Sequence, residues 1–194
     1  MFIGCQFSLY PMTGDFVPVI LKAIKSLEER TDLRKSSDDL STFLLGPPEV
    51  LFKALEDVFV DAANTGVHVV MNATFSRGCP GEPDEPCCYP QKKSPAVTAA
   101  EWDGKTRGVD VSAHFALLPL GDADYMAHIV DEIAVAKEAG VYAGAKHFCS
   151  KLSGDAHRVF SYLENAFDRG GVKTAHTVMT VTLSANSPSH KTKE

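Results

Sequence analysis

The chain has 194 residues, 44% of them hydrophobic and 23% charged, with a formal net charge of -6. That length accommodates one ordinary domain or two small ones, and the composition excludes a globally disordered chain. An acidic balance lacks the basic footprint of a nucleic-acid binder, and no apolar run reaches the roughly 20 residues that span a bilayer. The expectation is therefore a protein with no nucleic-acid partner that is not membrane-embedded. The opening "MFIGCQFSLYPM" carries no charged leader or cleavage pattern and is read as free of a signal peptide. The cysteines are Cys5, Cys79, Cys87, Cys88 and Cys149; an odd count without a secretory signal points to a reducing, cytoplasmic setting.

In chain order, residues 2–10 read as a strand, with Cys5, Phe7 and Leu9 on one face and Gln6, Ser8 and Tyr10 on the other. Pro11 is expected to stop it. Residues 15–30 form an amphipathic helix with Phe16, Ile20, Ala23 and Leu27 in one stripe and Pro18 tolerated in the first turn. A short strand near 34–37 precedes a strand over 39–45. Gly46-Pro47-Pro48 opens a second helix with Phe52, Leu55 and Phe59 inward, and Thr65-Gly66 turns the chain into a strand over 67–76. The second half repeats the order: strand 109–118, helix 124–139 closed by Gly140, short strand 141–143, strand 146–153, a helix capped by Asp155, and strand 174–184.

The repetition extends to the letters. "HVVMNATFSRGCP" from His68 and "HTVMTVTLSANSP" from His176 lie 108 positions apart, and this offset holds without a gap from Asp39 to Gly81. It pairs Phe52 with Phe160, Leu55 with Leu163, Glu56 with Glu164 and Phe59 with Phe167. It also joins "FSLYPM" to "FALLPL", and one extra residue near Gly121 shifts the first helix to an offset of 109. This is a tandem duplication. The expected organisation is a first repeat over 1–81, a Pro-rich linker over 82–108, a second repeat over 109–188 and a tail over 189–194. Each repeat reads βαββαβ, so the fold class is α+β: a tandem duplication of a ferredoxin-like unit, two helices on one face of a four-stranded antiparallel sheet.

The linker carries Cys87 and Cys88, adjacent and without a nearby histidine, which misses zinc-site spacing. No metal and no cofactor are expected. Alternation sets His68, Val70, Asn72, Thr74 and Ser76, then His176, Val178, Thr180, Thr182 and Ser184, on the sheet face away from the helices. Gln6, Ser8, Tyr10, Asp39, Ser41 and Phe43 join them from neighbouring strands. A face mixing Tyr10, Phe43 and Val70 with hydroxyls is too apolar for open water, so a shield is expected, from the other repeat or from a second chain. His68 and His176 are read either as structural histidines kept by common origin or as ligands or bases. Nothing in the chain matches a nucleophile elbow, a phosphate loop or a paired-carboxylate site.

"QFSLYPMTGDF", "DDLSTFLLG", "TGVHVVMNATFSRGCPG", "FALLPLGDADYM" and "AHTVMTVTLSANSPS" together closely resemble the YkoF family, over nearly the whole chain outside the linker. The resemblance implies a tandem ferredoxin-like protein that forms a homodimer. It also implies binding of thiamine through its hydroxymethylpyrimidine part, in uptake or salvage of that pyrimidine. An aminopyrimidine offers ring-nitrogen acceptors and an amino donor, and the thiazolium of thiamine is a cation. On that basis the ligand-binding candidates are Ser8, Asp38, Asp39, Ser41, Thr42 and Asn72 in the first repeat, with His147, Ser150 and Thr180 in the second. Asn72 is equally a polar residue satisfied by backbone or water, Asp39 equally a solvated turn residue, and Thr42 equally a core threonine bonded to its own backbone. Asp39 is matched by His147, Asn72 by Thr180 and Thr42 by Ser150, so two unequal sites are expected, the first tighter. The expectation is a binding protein without catalysis. The alternatives are an ACT-like regulatory or interaction module and an enzyme of thiamine pyrimidine metabolism, whose nucleophile would be Cys149 or Cys5.

Overall fold

The computed structural model describes residues 2–79 and 103–190. Cys87, Cys88 and most of the expected linker lie outside the described residues, as do the last residues of the tail. The first half runs β1 (Phe2–Pro11), α1 (Phe16–Glu28), β2 (Arg34–Ser37), β3 (Thr42–Leu45), α2 (Pro48–Ala63) and β4 (Val69–Cys79). The second half repeats it as β5 (Asp110–Leu120), α3 (Tyr125–Glu138), β6 (Tyr142–Lys146), β7 (Cys149–Asp155), α4 (Ala156–Lys173) and β8 (His176–Ala185).

Local chemistry sets these elements. In β1, Ile3, Cys5 and Phe7 are buried while Gln6 and Tyr10 are exposed, the period of two that a one-sided sheet demands. Pro48 begins α2, where a missing N–H costs nothing. Asp155 caps α4 by accepting a hydrogen bond from the His157 amide. Gly140 follows α3 at φ +65°, the left-handed closure that glycine adopts without strain.

β1 ends at Pro11, as expected, with that proline as its last residue, paired with Val69, because a strand end tolerates a residue lacking N–H. Two local expectations need correction. The strand expected from Asp39 begins only at Thr42, because the Asp38 carboxylate accepts from the Leu40 and Ser41 amides and bends the chain. Phe16, placed on the buried stripe of the first helix, is 49% exposed at the first residue of α1.

The strand order is β2-β3-β1-β4-β8-β5-β7-β6. Each half has the ferredoxin-like order, and the halves join edge to edge through antiparallel β4 and β8. The second repeat therefore continues the sheet of the first. Of the two shields expected for the helix-free face, the other repeat is thus ruled out by the strand order. Met71 opposite Leu183, Ala73 opposite Val181 and Phe75 opposite Met179 are all buried, so helices from both repeats cover the same face.

α2 and α4 cross the seam between repeats with an aromatic cluster that the duplication itself supplied. Phe52 stacks on Phe75 with ring centroids 4.2 Å apart and meets Phe167 at 5.9 Å, while Phe59 meets Phe160 at 6.2 Å. These four phenylalanines of the helices are two duplicated pairs. Their burial links the repeats by core packing as well as by the β4–β8 ladder. Arg77 adds a buried ion pair with Asp168 across the same seam.

Candidate ligand site

The open face is built from rows of short polar side chains. Gln6, Thr74 and Thr180 stand side by side on β1, β4 and β8; Ser8, Asn72 and Thr182 form the next row. Within that row the Thr182 hydroxyl donates to Asn72 Oδ1 at 2.9 Å. Asn72 is exposed, and among the described residues no hydrogen bond engages its amide NH₂.

The pairing of strands leaves one gap per repeat. β3 pairs β1 only from Gly4 to Phe7, so Ser8 onward has no neighbour on that edge; β7 likewise pairs β5 only as far as Phe115. A depression sits at each gap. The first, about 510 Å³, is lined by Gln6, Ser8, Tyr10, Leu40, Ser41 and Asn72 together with Thr74, Thr180 and Thr182. The second, about 290 Å³, reaches under the hairpin tip to α3. Its lining includes Ala116, Leu118, Phe148, Cys149 and Ser150, with Ile129, Glu132 and Ile133 from the helix. Four duplicated positions line both: Ser8 and Ala116, Tyr10 and Leu118, Leu40 and Phe148, Ser41 and Cys149.

The first depression is held in shape by its hairpin tip. Ser8 Oγ donates to the Leu40 carbonyl at 2.7 Å, and Gln6 Nε2 donates to Ser41 Oγ at 2.7 Å. Asp38, with backbone amides on its carboxylate, has its pKa held below the ordinary value. Of the candidates named from sequence, Ser8, Ser41, Asn72 and Thr180 come together here. The 108-residue offset matches Thr180 with the second repeat's site; the β4–β8 ladder carries it to the first, opposite Thr74. Asp38 shapes the tip, and Asp39 is exposed on it, outside the lining. Thr42 opposes the buried Phe7 and bonds Ser37 at 2.9 Å across the hairpin, on the helix side of the sheet.

In the second repeat, Ser150 is 8% exposed and lines the cleft, while His147 is exposed at the hairpin tip beside Phe148. Sequence reasoning missed the helix side of this cleft. Glu132 is buried there because Arg169 from α4 donates two hydrogen bonds to it at 2.8 and 2.7 Å. The first repeat has Ala23 and Asp61 at those positions, a departure between the copies that was available in the sequence.

His68 Nε2 lies 3.0 Å from Ser184 Oγ, a cross-repeat tie at the edge of the open face. Among the described residues no group of three His, Cys, Asp or Glu side chains is arranged to hold a metal. Cys5 is buried with its thiol pushed far above the ordinary range by desolvation, which suppresses the thiolate a nucleophile needs. No helix among the described residues is long and apolar enough to cross a membrane.

Fold and depressions together define a tandem ferredoxin-like α+β protein with a depression at the strand gap of each repeat. The chain belongs to the YKOF-related family, whose model matches residues 2–82 and 110–190, once per repeat. It is 41% identical to a Bacillus subtilis (strain 168) protein named "Putative HMP/thiamine-binding protein YkoF", an alignment covering 98% of this chain and 94% of that protein.

Proposed function

We propose that this protein binds thiamine or its hydroxymethylpyrimidine moiety without catalysis, at one site per repeat, in uptake or salvage of the thiamine precursor. The observation that carries this reading is the pair of depressions at duplicated positions, in a chain so similar to a protein named for binding this ligand. In the first site the Asn72 and Gln6 amides and the Ser8, Ser41 and Thr74 hydroxyls offer the mixed donors and acceptors that an aminopyrimidine edge needs. The second site offers an apolar wall, with Ser150, Cys149 and Lys146 as its polar groups apart from the paired Glu132. Fewer hydrogen bonds there make it the weaker site, by roughly tenfold if one bond of about 1.4 kcal/mol separates the two.

In this reading the protein works as a cytoplasmic homodimer. Tyr10, Met12, Phe16, Val17, Leu21 and Leu40 are all exposed, and so are their duplicated mates Leu118, Leu120, Tyr125, Met126, Val130 and Phe148. Apolar exposure repeated position by position is what a buried symmetric interface leaves on an isolated chain. Calorimetric titration with thiamine, free hydroxymethylpyrimidine and the thiazole alcohol tests the ligand assignment. Binding of the first two and not the third is expected. Binding of the thiazole alone, or turnover of any of the three into product, would overturn the assignment.

A further inference from the structure

The two hairpin tips beside the depressions have diverged in opposite directions. The first tip is tied down. Asp38 Oδ1 accepts from the Leu40 and Ser41 amides, each at 2.8 Å, and Ser8 Oγ and Gln6 Nε2 reach up to Leu40 O and Ser41 Oγ. A further link joins Ser37 Oγ and Thr42 Oγ1. The duplication puts Lys146 where Asp38 stands, Ala116 for Ser8, Cys149 for Ser41, Ala145 for Ser37 and His114 for Gln6. A lysine and two alanines cannot make the bonds their counterparts make. Among the described residues no side-chain hydrogen bond holds the second tip.

That tip is also strained. His147 and Phe148 form the turn between Lys146 and Cys149, and Phe148 takes φ +72°, a position that calls for glycine or asparagine. The Phe148 ring is fully solvent-exposed, at 101%, yet the residue stands on the rim of the second cleft. A register shift between Tyr142 and Gly144, with Gly144 at φ +134°, interrupts β6 near its start. β2 pairs through the corresponding stretch without a shift. The second hairpin therefore has a register shift near its base and a strained turn at its end, and among the described residues only the backbone ladder, with no side-chain hydrogen bond, holds that end.

We infer that the β6–β7 tip is a lid, and that Phe148 folds over the second cleft to cover a flat or cationic ring bound there. This rests on the reading of the cleft as a thiamine site. An aromatic face complements both parts of thiamine, stacking on the pyrimidine and attracting the thiazolium. Closure turns the exposed ring inward and releases the positive φ. The first repeat, with Leu40 on a fixed tip, has a preformed site; the second has a closing one.

Hydrogen exchange read by mass spectrometry, together with thiamine titration, tests this on the full chain. In ligand-free protein, exchange at 147–149 should be faster than at 39–41, and thiamine should slow it. Installing the missing ties with Ala116→Ser and Lys146→Asp should slow it without ligand. Phe148→Ala should weaken the second site by about 3- to 30-fold, the range of a cation–aromatic contact, and leave the first within about twofold. Phe148→Tyr should restore it. If two sites bind while Phe148→Ala changes neither and thiamine leaves 147–149 unprotected, the lid is refuted and the site reading stands. If the wild type takes up no thiamine, both fall, and the titration shows this before any variant is made.

Discussion

Glu164 offers a test of the seam between repeats. It is the duplicate of Glu56, but the two carboxylates have different surroundings. Glu56 is matched by Arg107, 3.2 Å away, and by His157 Nδ1 at 3.1 Å. Glu164 faces Glu49, Lys53 and Glu56 of α2 and His157 and Ser161 of its own helix, and no hydrogen bond among the described residues reaches its carboxylate. Arg107, Asp57 and Asp103 complete the charged surroundings of this notch. Burial, then repulsion from Asp168, Glu49 and Glu56, raises the Glu164 pKa to about 7, with His157 pulling the other way. Between the ordinary value of 4.5 and about 7 the folded state holds a proton that the unfolded chain has lost. The stability this group contributes is therefore complete below the lower value, falls as pH rises through this window, and is lost above it. At about 1.4 kcal/mol per pKa unit the loss has a ceiling near 3 kcal/mol, and partial solvent exposure reduces it to roughly 1–2. Glu164→Gln should remove the penalty. Urea melts should show the variant more stable than wild type by about 1–2 kcal/mol at pH 8 and equal to it within error at pH 4.5. An equal gain at both pH values, or a loss at pH 8, would refute the reasoning.

Two further variants probe the same architecture. Phe52→Ala removes a ring that is 1% exposed and stacked on Phe75, and should cost about 3–5 kcal/mol in urea. Both repeats should still unfold in one transition, because the cluster belongs to both; separate transitions would show the seam to be weak. Asp155→Ala removes the α4 cap and the acceptor for the Arg107 and Gly108 amides, and should lower stability by about 1–2 kcal/mol without changing thiamine uptake.

Strand alternation and the 108-residue offset made most of the fold readable, because both depend on side chains. The paired burial of Met71 with Leu183 or Phe75 with Met179 follows from period two alone. How the repeats meet did not follow. The β4–β8 ladder is made of backbone groups that every residue carries, so the letters are the same whether a second sheet lies over the first or beside it. That one ambiguity misplaced Thr180, which sits with Thr74 and not in the second site. The place of Asp39 is not legible in the sequence, because the neighbouring Asp38 bends the chain and two adjacent aspartates give no hint which will do so. The Glu132–Arg169 pair joins positions 37 apart on different helices, a contact that periodicity within one helix cannot report.

The central claim is that duplication of the fold duplicated a thiamine site. The most direct test is the stoichiometry of thiamine binding to the full chain at equilibrium. The account predicts two per chain with unequal affinities, and Asn72→Ala should weaken the tighter one alone. One thiamine per chain, or two sites weakened equally by Asn72→Ala, would contradict it.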